Sequence, residues 1–128
     1  MNKIRRAQLS ALHADVDSLV QKVQLDLDQK EVPDRANKLE FAALADDIQG
    51  LREQCESIKD EEQEYYYNMP SGLQGGEKGD NAQSVVSELD DADNAFHEAH
   101  SAAESEDHET VIAQLDLAKD AIDNAGSY

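Results

Sequence analysis

Glu64-Tyr65-Tyr66-Tyr67-Asn68-Met69-Pro70-Ser71-Gly72-Leu73-Gln74-Gly75-Gly76-Glu77-Lys78-Gly79-Asp80 interrupts a chain that is otherwise almost all helix-forming. The stretch holds three of the four tyrosines and four of the six glycines, so it marks the main break in the sequence. Asn68-Met69-Pro70 and Ser71-Gly72 are turn chemistry, and Asp80 or Asn81 can cap a following helix. The chain therefore divides into a helical half over 1–67, a connecting loop over 68–80 and a second helical half over 81–128. A plain connection accounts for the glycines but not for consecutive tyrosines, nor for Met69 and Leu73. A loop with its own apolar side chains either folds over a core or binds something. That makes Tyr66, Tyr67, Asn68, Met69, Leu73 and Gln74 candidate partner-binding residues.

Upstream of the break, Phe41, Leu44, Ile48, Leu51, Cys55 and Ile58 keep heptad spacing, and the register continues through Glu62 to Tyr65. This predicts a helix over 34–66 with one narrow seam. Gly50 falls off that seam, where it costs up to about 1 kcal/mol against Ala. Before it, Leu9, Leu12, Val16, Leu19 and Val23 predict a helix over 2–30. Glu31-Val32-Pro33-Asp34 ends or kinks that helix. Acids crowd the C-terminal part of the second helix, against its dipole, and Lys3, Arg5 and Arg6 would relieve them if the two helices ran antiparallel. Downstream, Val85, Leu89, Ala92, Phe96 and Ala99 predict a third helix over 80–104. Val111, Leu115, Ala118 and Ile122 predict a fourth over 107–125, with Ser105 or Asp107 as its cap. The expected fold is all-α: two long antiparallel helical hairpins in a coiled-coil-like bundle, joined by the Tyr/Gly-rich loop. With six aromatics and much alanine in 128 residues the core is thin, so self-association through the exposed seams is expected as well.

Net charge is −18, and it is uneven: residues 1–64 carry nine Lys/Arg against 15 Asp/Glu, residues 65–128 two against 14. Phosphates and anionic membranes would repel such a surface, so direct binding to nucleic acid or lipid is excluded. A protein with a basic, nucleic-acid-binding surface is the partner the charge permits. Glu88, Asp90, Asp91, Asp93 and Glu98 place about one charge per 3.3 Å of helix, close to the phosphate spacing of one DNA strand. Together with Glu104, Glu106 and Asp107 they form the candidate acidic binding surface, of DNA-mimic type.

Chemistry is otherwise sparse. Cys55, the sole cysteine, lies on the seam and reads as a small buried apolar residue; its solitude fits a reducing cytoplasm. The basic N-terminal turn is not followed by an apolar run, so it does not read as an export signal. Asp93, His97, His100 and Glu104 share one helix face, but a single helix cannot close a tetrahedral metal site. Residues 73–79 lack the strand and the Gly-Lys-Ser/Thr order of a phosphate loop, and no EF-hand or Ser/His/Asp arrangement occurs. No enzyme, cofactor or metal is expected.

The segment from Glu61 to Ala82, with its acids, Tyr-Tyr-x-Asn-Met-Pro, Leu-Gln-Gly and Glu-Lys-Gly, resembles a signature of small acidic bacteriophage and prophage proteins. It covers about a fifth of the chain. That group has no assigned chemistry, so no functional residue carries over. The resemblance implies a phage-type origin, a bacterial host cytoplasm and an interaction role, such as inhibition of a host nucleic-acid-binding or defence protein. The alternative is a coiled-coil structural, assembly or adaptor protein.

Overall fold

The computed structural model describes residues 1–32 and 38–128. Five helices pack together, and no strand occurs among the described residues. They are α1 (Lys3–Asp28), α2 (Phe41–Tyr67), α3 (Ser71–Gln74), α4 (Glu77–Glu104) and α5 (His108–Gly126). None is long and apolar enough to cross a membrane. The question of a break or kink at Pro33 falls outside the described residues.

Helix α1 starts where Asn2 accepts the Arg5 backbone N–H at 2.8 Å, satisfying one of the orphan donors of its first turn. Helix α2 starts at Phe41 rather than 34. Residues 38–40 are not helical, because Leu39 is buried and donates its N–H to the Asp26 carboxylate at the end of α1, 2.9 Å away. From there the heptad holds: Leu44, Ile48, Leu51, Cys55, Ile58 and Glu62 are all buried. Tyr65 rises out of the seam and covers the Arg5 guanidinium, 5.2 Å from its ring centre.

The break is more compact than turn chemistry alone suggests. Only residues 68–70 and 75–76 lie between helices, and α4 begins at Glu77, not 80. Gly79, read from sequence as loop flexibility, is a buried residue of the first turn of α4. A Cβ there would sit 1.9 Å from the Gln74 carbonyl oxygen, so only glycine lets α3 come so close. Gly79→Ala is expected to displace α3 and destabilise the protein by about 1–3 kcal/mol, as overpacking does. Thermal unfolding followed by tyrosine fluorescence checks this; an unchanged transition would show that α3 gives way at no cost. At the other junction Glu106 adopts φ 55°, while Glu106 N–H bonds to the Ala103 carbonyl at 3.0 Å and Asp107 N–H to that of Ala102 at 2.9 Å. This left-handed stop reverses the chain in three residues.

Successive long helices run antiparallel. Lys59 of α2 meets Asp90 of α4, and Lys119 of α5 meets Asp17 of α1. Helix α1 lies between α2 and α5, and α4 likewise. The main packing partners are not the chain neighbours α1 and α2. Instead α2 packs most on α4, and α1 most on α5, while the α1–α2 seam is thinly filled. One continuous core runs through all four, with Phe96, Leu12, Ile48 and Leu115 fully buried at its centre. Alanines 92, 95, 99, 102 and 103 of α4 let its neighbours approach closely. The basic turn of α1 relieves α2 through one pair: Arg5 Nε donates to Glu62 at 2.6 Å. Arg6 turns away to the carbonyls of Gly126, the last residue of α5, and of Tyr128 just after it.

Candidate functional site

The carboxylates of α4 divide by helical phase. Asp90 and Asp93, three residues apart, turn toward α2. Lys59 Nζ donates to Asp90 at 2.9 Å. Arg52 grips Asp93 through Nε at 2.8 Å and Nη2 at 3.3 Å, and contacts His97 Nδ1 at 3.3 Å. The bond to Asp90 raises the Lys59 pKa, as the bond to Asp93 raises that of Arg52. Both acids are therefore neutralised within the molecule.

Glu88, Asp91 and Glu98 point the other way, over the seam between α4 and α5. With Asn94 and Ala95 of α4, and Gln114, Leu117, Asp120, Ala121 and Asn124 of α5, they line an open groove of about 380 Å³. Among the described residues no Lys, Arg or His lines it. Four carboxylates thus flank an apolar floor, with Leu117 half-exposed upon it. Asp120 and Leu117 had not been singled out from the sequence. Leu117 carried a signal, being a large apolar residue one step off the α5 stripe of Leu115, Ala118 and Ile122.

The remaining acids have other occupations. Glu104 lies 2.8 Å from His100 Nδ1, Glu106 is the exposed left-handed residue, and Asp107 caps α5. Asp107 accepts from the Thr110 hydroxyl at 2.7 Å and its N–H at 3.1 Å, which hold its carboxyl below the usual range. The bond from Lys119 similarly lowers the Asp17 pKa. A carboxylate depressed by folding stabilises above its unfolded pKa and loses that contribution as pH falls through its folded value, so both contribute fully above about pH 4 and their loss below it favours acid unfolding. Asp93, His97, His100 and Glu104 do not converge, and no group of three or more potential ligands among the described residues is placed to hold a metal ion.

The loop candidates separate in the same way. Met69 is buried, and the Gln74 side-chain amide donates to the Tyr66 and Tyr67 carbonyls at 3.1 and 3.4 Å. These two hold the end of α2 closed. Asn68 is the C-cap of α2, and Leu73 is half-exposed. Tyr66 and Tyr67, with rings 5.7 Å apart, line a slot of about 220 Å³ with Gln63, Gln83 and Val86. Gln63 donates to the Tyr67 hydroxyl at 3.3 Å. The slot carries no ionisable carboxylate or cation and is smaller than the α4–α5 groove.

A larger hollow of about 540 Å³ between α1 and α5 mixes Arg6 and His13 with Asp123. Arg6 is already engaged by the carbonyls at and just after the end of α5, so the hollow offers no single-signed surface. Compared with protein-family models, with curated proteins and with solved structures, the chain matches none of them.

Proposed function

We propose that this protein is a non-enzymatic acidic binding protein of phage type. In this reading it occupies a basic, nucleic-acid-binding surface of a host or defence protein in the bacterial cytoplasm, as a DNA mimic. The observation that carries the reading is the α4–α5 groove, where Glu88, Asp91, Glu98 and Asp120 face solvent with no cation in the lining. Carboxylates already paired, such as Asp90 and Asp93, have little left to offer a partner, so the unpaired row supplies the attraction.

The test is capture of partners from bacterial lysate at low and high salt, with wild-type protein and with Asp91→Lys and Glu98→Lys as bait. A nucleic-acid-binding protein should be retained at low salt and released at high salt. Each reversal should weaken capture about tenfold, or ~1.4 kcal/mol. Capture indifferent to both substitutions would sink the reading.

The second reading is a coiled-coil structural, assembly or adaptor protein that engages another helix through an apolar seam. The thin α1–α2 contact favours it, because two open hollows lie along that seam. It predicts a partner retained at high salt. Leu51 and Phe96 are poor probes of such a surface, since both are buried and their substitution reports on folding.

A further inference from the structure

Two hollows, of about 320 and 230 Å³, lie along the thin α1–α2 seam and share Gln54. They form one track on α2 from Asp46 to Ile58, about 18 Å at 1.5 Å per residue, or three turns of a docked helix. Ala11 and Leu19 of α1, with Gly50, Leu51 and Ile58 of α2, give it apolar and small surfaces.

Gly50 is the informative residue. It lies well inside α2, where glycine weakens a helix relative to alanine. Beyond its own helical turns, no atom among the described residues lies within 4 Å of where its Cβ would be, so no packing contact requires a glycine. A missing Cβ on the lining of such a track is what close approach by another backbone needs. Charge adds direction. Asp15, Asp46 and Asp47 gather at one end, Gln8 and Ser57 lie at the other, and among the described residues no cation lines either hollow.

The geometry points to the α1–α2 seam as a docking track for one α-helix of another protein, apolar on one face and carrying Lys or Arg at the end that meets Asp15, Asp46 and Asp47. A second copy of this chain fits poorly, because it would bring a further −18 of charge to an acidic end. The track lies across the bundle from the Glu88–Asp120 groove, so the two sites stand or fall separately.

The probe is a synthetic helical peptide of about 18 residues, with Ala and Leu on one face, two Lys in one terminal turn and neutral residues elsewhere. Amide resonances of the labelled full chain are followed on titration, alongside Gly50→Ala, Gly50→Tyr and Ala11→Tyr variants. Shifts are expected around Ala11, Leu19, Gly50 and Ser57. Both Tyr variants should weaken binding about tenfold or more, while Gly50→Ala, which adds only the Cβ, should weaken it less, by about threefold, and melt higher. Absence of binding, shifts centred on the α4–α5 groove, or binding by both Tyr variants as tight as by wild type would overturn the assignment. Shifts of the same residues on concentrating the protein without peptide would assign the track to a second copy and overturn it too.

Discussion

Arg5→Met is expected to cost about 3–5 kcal/mol of folding stability, because it strands a charge that the heptad register carries into the core. Glu62 is fully buried, and Arg5 Nε, 2.6 Å from one oxygen, is its hydrogen-bond donor. The other oxygen has no hydrogen-bond partner and lies 3.8 Å from the Met1 ammonium. With Arg5 gone, the buried carboxylate keeps no hydrogen-bond donor and only the Met1 ammonium at 3.8 Å as a countercharge. Urea unfolding at neutral pH measures the loss. The double variant Arg5→Met/Glu62→Leu removes both charges and should recover most of it, since apolar pairs of similar volume commonly match or exceed buried ion pairs. A double variant as weak as the single one would show that packing, not charge, was lost.

Phe96→Ala should cost about 3–5 kcal/mol as well, by a different route. Phe96 is fully buried on α4, with Ala92, Ala95 and Ala99 as its neighbours along that helix. Alanine side chains cannot swing in to fill the space a phenyl leaves, so the cavity stays open. Phe96→Leu keeps most of the volume and should cost less than about 1.5 kcal/mol. Calorimetry of the two variants separates lost volume from lost aromatic character. A domain of this size has roughly 5–15 kcal/mol in hand, so either Arg5→Met or Phe96→Ala alone brings it near its limit.

The helices were legible wherever periodicity was strict. From Leu44 to Glu62 the spacing alone placed every buried residue of α2 except Ala45, including the acid. It overran at residues 38–40, read as helix, where a carboxylate 13 residues upstream of Leu39 decides the backbone. It misled at Gly79, because a glycine chosen for flexibility and one chosen for contact look alike until the neighbouring Gln74 carbonyl is known. Total charge was legible too, but not its distribution. Asp90, Asp91 and Asp93 are near-identical in sequence, and only the placement of Lys59 and Arg52 across from α4 separates the neutralised acids from the free one.

Cys55 is fully buried between α2 and α4, with its sulfur 3.7 Å from the Leu89 carbonyl and its pKa pushed up to about 12 by desolvation. A thiol so placed has almost no reactive thiolate while the bundle is shut. Its rate of alkylation is thus a count of how often α2 and α4 come apart. Because it is the chain's sole cysteine, that count needs no added label. A partner that clamps these helices would slow the reaction, and one that pries them open would hasten it.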